Sequence, residues 1–390
     1  MENFEFYSPT KIFFGKGREK EVAQIVKSYG FGKVAIVYGG KTVMKNGLLN
    51  LVKAEFLKNG ISFVEYGGIT PNPELRFVKE GIEVCRNFRP DVLLGLGGGS
   101  VIDVCKAISV GFYYDGDPFD FNLGLQNPTK ALPIGTIITI AAAGSELSNS
   151  CVITNPETKI KKGFNKDIVR PLFAIEDPEL TYSVPAYQTA AGVVDMMMHS
   201  MERFFGPSDG NQLSDEWALD LCKNVMNAAK IAISNPYNYD ARAQLMIASS
   251  FAHNGITGFG KKSMFVVHPL EHAVSGYAPQ VTHGAGIGVC YLGWARYVYQ
   301  QDKAKFAKLA RTLFNVNMED DEEASIMGVI RMEEFYKSIG MPTTLRELGL
   351  NENDLPELVA LASGNGTRAI GLYPQSLEAK DIEAIYRLCL

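Results

Sequence analysis

The chain has 390 residues, 46% hydrophobic and 21% charged, with a net charge of −5. That length can bury a large core, and ordinary domain sizes predict about two domains. No basic stripe or arginine-rich arm is present to meet phosphates and no apolar run is long enough to span a bilayer, so the composition argues against nucleic-acid and membrane partners.

At the start, Met1 to Tyr7 lacks a basic region followed by an apolar core, which argues against secretion. Phe4 to Phe14 reads as strand-like, a small hairpin over a sheet. From Lys33 to about Asp177, short apolar runs alternate with helix-length segments. The runs are Val34–Tyr38, Ile61–Glu65, Asp91–Leu94, Ile134–Thr139 and Leu172–Ile175; Thr42–Lys58 and Pro73–Asn87 lie between the early ones. This is the βαβ pattern of a parallel sheet with helices on its faces. Beyond Leu180 helical periodicity takes over, in Thr189–Phe205, Ser214–Ile233, Asp240–Phe251 and onward. The expected architecture is an α/β dinucleotide-binding domain with a parallel sheet (residues 1–180) followed by an all-helical, metal-binding domain (residues 181–390), with a ligand cleft between the two. The acidic run Glu319–Glu323 reads as a solvated helix start complementing the helix dipole. Cys85, Cys105, Cys151, Cys222, Cys290 and Cys389 form no CxxC pair and read as reduced core thiols, which fits a cytoplasmic protein.

The first half carries a nucleotide signal. Gly95-Leu-Gly97-Gly98-Gly99-Ser100 follows an apolar strand and runs into a helix-forming stretch. Glycines there admit a diphosphate to the backbone, and free N–H groups at a helix start bind anions. A second turn, Tyr38-Gly39-Gly40-Lys41-Thr42, ends the first βαβ strand, where an adenosine ribose is commonly read. An acid there would favour NAD; this turn has Lys41 and Lys45 and no acid up to Gly47, which leaves room for a 2′-phosphate. NADP(H) is therefore the expected cofactor, with NAD(H) as the alternative.

The second half gathers four of the five histidines into Asp195-x-x-x-His199, His268-Pro-Leu-Glu-His272 and His283-Gly284. A carboxylate and an imidazole four residues apart share one helix face, and this donor chemistry suits zinc or ferrous iron. His253 is a rival donor, read instead as a satisfied helix histidine. Met196, Met197 and Met198 sit between two candidate ligands and read as core packing.

In combination, Gly97-Gly-Gly-Ser100-x-x-Asp103, Gly144-Ser145-Glu146, Asp177-Pro178, Asp195-x-x-x-His199, His268-x-x-x-His272 and His283-Gly284 resemble the iron-dependent (group III) alcohol dehydrogenases over nearly the whole chain. The segments Tyr38–Gly47 and His268–Ser275 look most like the branch of butanol dehydrogenases and broad aldehyde reductases. The resemblance implies a divalent metal, Fe2+ or Zn2+, held by Asp195, His199, His268 and His283, with His272 close to nicotinamide and substrate. It implies cofactor contacts from Gly39, Gly40 and Lys41 at the adenosine end. Toward the diphosphate and nicotinamide it implies Gly98, Gly99, Ser100, Asp103, Thr139, Ser145 and Lys161. It also implies a homodimer.

Two departures from the family pattern stand out. Ala141-Ala142-Ala143 replaces a run that usually ends in threonine before Gly-Ser-Glu, and the His272 to His283 spacing is one residue longer, an insertion that a loop at Tyr277–Gln280 can absorb. The chemistry expected is hydride transfer between the cofactor and short aliphatic alcohols or aldehydes, with His272 as proton relay. Four protein ligands resemble a closed structural zinc site, so this chemistry requires a further open position. A metal-dependent lyase resembling dehydroquinate synthase, which uses a nicotinamide only transiently, is the alternative. The absence of lysine and arginine from Met264 to His283 counts against its anionic substrate.

Overall fold

The computed structural model describes residues 1–40, 42–207, 210–262, 265–371 and 373–390, so the predicted cofactor residue Lys41 lies outside the described residues. The chain forms two compact units, Tyr7–Ser183 and Val184–Leu390, the latter together with Met1–Phe6.

The first unit is built on six parallel strands: β1 (Lys11–Phe14), β2 (Lys33–Tyr38), β3 (Ser62–Tyr66), β4 (Val92–Gly97), β5 (Ile134–Ile138) and, after a hairpin, β8 (Phe173–Glu176). Their order is β1-β8-β5-β4-β2-β3. The central strands β2, β4 and β5 are almost wholly buried and rich in Val, Ile and Leu, as strands covered on both faces must be. Helices α1 (Val22–Ser28), α2 (Thr42–Lys45), α3 (Leu48–Lys58), α4 (Leu75–Phe88), α5 (Gly99–Gly111) and α6 (Phe119–Leu123) complete the helical part of this unit. Two apolar clusters form its core: one contains Val34, Ile36, Val52 and Phe56, the other Val78, Ile82, Val104 and Ile108. The chain passes from β2 outward to β3 and then back to β4 on the other side of β2. The carboxyl ends of β2 and β4 thus flank a topological switch point, where open α/β sheets bind ligands.

Two expectations need correction. Phe4–Phe14 is no hairpin: only Lys11–Phe14 forms a strand, pairing in parallel with β8, while Met1–Phe6 packs with the helical unit, where Glu2 N–H donates to the Gly260 carbonyl at 2.9 Å. The segment Thr42–Lys58 is two helices, because Gly47 adopts a left-handed φ of 82° between them. An antiparallel hairpin, β6 (Ser150–Asn155) with β7 (Ile160–Asn165), also stands between β5 and β8.

Beyond Val184 the second unit is helical and, among the described residues, has no strand. Its helices are α7 (Ala186–Phe204), α8 (Gln212–Ser234), α9 (Tyr239–His253), α10 (Val267–Tyr277), α11 (His283–Val298), α12 (Lys303–Phe314), α13 (Asp321–Ser338), α14 (Leu355–Ser363) and α15 (Ala379–Leu388). The acidic run caps α13: Asp320 accepts from the N–H groups of Glu322 and Glu323, and three acids occupy the first turn. Among the described residues, no helix is long and apolar enough to cross a membrane.

Candidate functional site

Helix α7 is buried along nearly its whole length, and Asp195, His199 and Glu202 follow one another at i, i+4 and i+7 on one face. Helix α10 supplies His268 from its first turn, and His283 opens α11. The glycine after His283 has a steric reason. A Cβ on Gly284 would stand 1.9 Å from the carbonyl oxygen of Ala191, one turn before Asp195, so only glycine lets α11 start this close to α7. The long His272 to His283 spacing falls where α10 has ended at Tyr277, in the connection to α11.

Asp195, His199 and His268 are buried, and each offers a donor atom within 4.8 Å of the other two. Asp195 Oδ1 stands 3.4 Å from His199 Nδ1, 3.7 Å from His268 Nε2 and 3.9 Å from His283 Nε2, while His199 Nε2 and His268 Nε2 are 3.1 Å apart. His283 is the more open member, its side chain 26% exposed against 5–6% for His199, Asp195 and His268. His272, half-buried, lies beside it with ring centroids 5.7 Å apart. With Glu271 and His283 it forms a second group of donors.

Two glutamates to which sequence patterns gave no role complete the cluster. Glu202 Oε2 pairs with His268 Nδ1, and its Oε1 accepts from the N–H groups of Val266 and Val267, fixing the carboxylate at the start of α10. Glu271, fully buried, pairs through Oε2 with His283 Nδ1. Gly286 leaves space for it, since a Cβ there would meet Glu271 Cγ at 2.9 Å. A carboxylate on Nδ1 fixes the imidazole tautomer and turns a basic Nε2 toward the centre, as outer partners of metal-bound histidines do. His253 does not join the donors. It packs on the His199 ring at 3.9 Å between centroids and meets Arg203 Nη2 at 3.2 Å, while Arg203 Nη1 donates to the carbonyls of His199 and Ala252. Met196, Met197 and Met198 are fully buried and fill the core around α7.

Burial, and then the neighbouring His253, His268 and Arg203, hold His199 well below the ordinary histidine value. Burial also opposes charge on His268, but the Glu202 and Asp195 carboxylates outweigh it and raise that imidazole to about 9. Asp195 Oδ1 and His199 Nδ1 are buried and, among the described residues, have no hydrogen-bond partner. Leaving such atoms unmet costs about 1–3 kcal/mol each. With one donor atom taken from each, Asp195, His199 and His268 bring those atoms within 4.8 Å of one another, as the ligands of a single ion must be. The donor set therefore fits a divalent ion, and with no thiolate in it, iron(II) and zinc suit it equally.

The predicted cofactor residues belong to the α/β unit. Gly39 and Gly40 follow β2; Gly98 caps α5, and Gly99 and Ser100 form its first turn. A Cβ on Gly97 would meet Val101 Cγ2 at 2.6 Å and one on Gly98 would meet Ile140 Cγ2 at 2.3 Å, so packing alone already holds these positions to glycine. Thr139 follows β5 and donates its N–H to the Gly97 carbonyl at 3.2 Å. Asp103 and Ser145 are joined by a 2.7 Å hydrogen bond from Ser145 Oγ, and the second Asp103 oxygen accepts from Val152 N–H at 3.0 Å. Lys161, on β7, donates to Asn72 Oδ1 at 2.9 Å. Among the alanines that replace the usual threonine, Ala143 fits closely, its Cβ 3.1 Å from where a Gly99 Cβ would stand.

Comparison with known proteins gives the family. The family pattern described as iron-containing alcohol dehydrogenase matches residues 9–178, and that of the Fe-containing alcohol dehydrogenase family, C-terminal, matches residues 189–390. The chain belongs to the iron-containing alcohol dehydrogenase family. Among similar iron-containing alcohol dehydrogenases is the NADH-dependent butanol dehydrogenase A of Clostridium acetobutylicum, 37% identical over 99% of both chains. The NADPH-dependent aldehyde reductase YqhD of Escherichia coli is 30% identical over 95% of both. The crystal structure of the NADH-dependent butanol dehydrogenase A of Thermotoga maritima superposes with a TM-score of 0.96 at 34% identity, covering 100% of this chain and 99% of that one.

Proposed function

We propose that this protein is a metal-dependent alcohol dehydrogenase and aldehyde reductase that passes hydride between NADP(H) and short aliphatic alcohols or aldehydes. The observation that carries the reading is the buried convergence of Asp195, His199 and His268, with His283 at its open side. A divalent ion there supplies Lewis acidity, polarising an aldehyde oxygen or lowering the pKa of an alcohol. Asp195, His199, His268 and His283 would hold it, with Glu202 and Glu271 orienting two of those imidazoles. His272 moves the proton between substrate oxygen and water, from its place beside the most exposed of the four. The glycine turns at Gly39–Gly40 and Gly98–Ser100 take the adenosine and the diphosphate of the dinucleotide, with Asp103, Thr139, Ser145 and Lys161 around them. Family membership does not favour the lyase alternative.

Cofactor choice has two readings. Lys41 and Lys45, without an acid in their turn, favour the 2′-phosphate of NADPH. The butanol dehydrogenases among the relatives are named as NADH-dependent, which favours NADH. The deciding experiment is the initial rate of NADPH and NADH oxidation with butanal on one preparation, with a chelated and metal-restored control. Metal-dependent turnover faster with NADPH supports the full reading; faster with NADH removes the role given to Lys41 and keeps the enzyme; none with either on fully metallated protein removes the activity. The working unit in this reading is a cytoplasmic homodimer, on the family resemblance alone, which sedimentation tests.

A further inference from the structure

Lys106 is the one lysine in α5, and its side chain is 0% exposed. Its ammonium reaches five oxygens: the Ser145 carbonyl at 2.7 Å and hydroxyl at 2.8 Å, the Ser148 carbonyl at 3.0 Å and hydroxyl at 3.2 Å, and the Ser150 carbonyl at 2.7 Å. An ammonium has only three protons, so it sits in an oxygen cage that leaves it little freedom. Its countercharge comes through a hydroxyl. Ser145 Oγ accepts from Lys106 and donates to Asp103, three residues earlier on the same helix, at 2.7 Å.

A buried charge is an expensive way to join a helix to a loop, since well-packed apolar groups commonly stabilise as much or more. What the charge adds is a defined geometry. The caged segment Ser145–Ser150 leaves the carboxyl end of β5, beside the Gly97–Gly99 turn at the end of β4. The two loops touch: the space for a Cβ on Gly99 is closed by Ala143 at 3.1 Å and Ser145 at 3.9 Å. The lysine fixes the loop to the same helix whose first turn follows directly from the glycine turn.

We propose that Lys106 is a positioning residue for the dinucleotide: by caging the 145–150 backbone against α5, it sets the Gly144–Ser145 turn relative to the Gly98–Ser100 turn and thereby the affinity for the nicotinamide cofactor. This rests on the cofactor reading given under the proposed function. Lys106 touches no ligand in this scheme and acts through Ser145 and the loop backbone.

The test is cofactor binding by fluorescence titration with NADPH and NADH on the whole, metal-loaded protein, alongside kcat and KM for butanal. Lys106→Met is compared with Val104→Ala, a core truncation on the same helix that lowers stability without touching the cage. Lys106→Met that melts cooperatively should bind the cofactor roughly ten- to hundredfold more weakly, as misplacement of a binding element by about 1 Å can cause, while the KM for butanal and the metal content hold. Val104→Ala should keep wild-type cofactor affinity. Wild-type affinity in folded Lys106→Met, or an equal loss in Val104→Ala, overturns the inference and leaves the cofactor reading standing. Should Lys106→Met fail to fold, Ser148→Ala, which removes one of the five oxygens, decides: weaker cofactor binding supports the cage and unchanged binding overturns it. No binding of either nucleotide by wild type overturns the cofactor reading itself, and this inference with it.

Discussion

Truncating Glu271 to alanine leaves His283 Nδ1 without its carboxylate, inside a pocket that Gly286 keeps open only for that side chain. The imidazole then loses both its fixed tautomer and part of its basicity. Outer-partner losses of this kind weaken metal binding roughly ten- to hundredfold. Glu271→Ala should show that loss in a chelator competition, and Glu271→Gln, whose amide oxygen still accepts from Nδ1–H, should lose less. Equal metal affinity in wild type and Glu271→Ala would remove the orienting role. Glu202 has a double duty, because its other oxygen satisfies two N–H groups at the start of α10. Glu202→Ala should therefore add a stability loss of about 1–3 kcal/mol to its metal defect, from N–H groups left unmet. Denaturant titration of metal-free protein isolates that part, and an unchanged midpoint there would count against it.

At the scale of elements, α7 and the start of α11 have to come close enough for His283 to reach Asp195, and Gly284 is the contact that permits it. A methyl group 1.9 Å from the Ala191 oxygen cannot be accommodated by a side-chain rotation, because the obstacle is backbone. Gly284→Ala should separate the helices, at a cost of about 3 kcal/mol, the upper end of the overpacking range. It should also lower bound metal, read by metal analysis after desalting; full stoichiometry at wild-type melting temperature would contradict it. This contact shows what a sequence can and cannot carry. The glycine beside His283 was visible, and the buried βαβ strands and long helices were legible because their apolar periodicity is local. Glu202 was also within reach, three residues after His199 and on the same face of α7. Its role depended on α10 arriving opposite, and no local pattern reports that. The β6–β7 hairpin went unseen because its strands mix apolar and polar residues without a clean alternation and take their order from distant partners, Asn122 and the Asp103 network. Phe4–Phe14 misled for the converse reason, its alternating aromatics being divided between two units.

For the whole molecule, the balance of buried titratable groups predicts how stability changes in alkali, and both units contribute. Burial lowers Lys106 in the α/β unit and Lys305 in the helical unit from 10.5 to about 8, and Lys261 in the same direction, against the pull of nearby carboxylates. A group whose folded pKa is depressed in this way favours the neutral form when folded, so its penalty is complete below about pH 8 and is relieved as pH rises toward 10.5. The cysteines work in the opposite sense. All six are buried free thiols that burial raises above 9.0, Cys85 and Cys389 to about 12 and the others in the same direction. Their contribution is complete below 9.0 and is lost as the unfolded chain ionises above it. A tenfold difference in proton affinity between folded and unfolded chain is worth about 1.4 kcal/mol, so the three lysines gain as pH rises to about 9, but six thiols outweigh them beyond about 9. Stability in reducing buffer should therefore pass through a maximum at about pH 8–9 and fall by about pH 10, with Lys305→Met flattening the rise on the acid side. Because two units can unfold separately, the denaturation curve is followed by probes in each. A midpoint still climbing at about pH 10 would mean that the thiols are not shielded by burial as this packing requires.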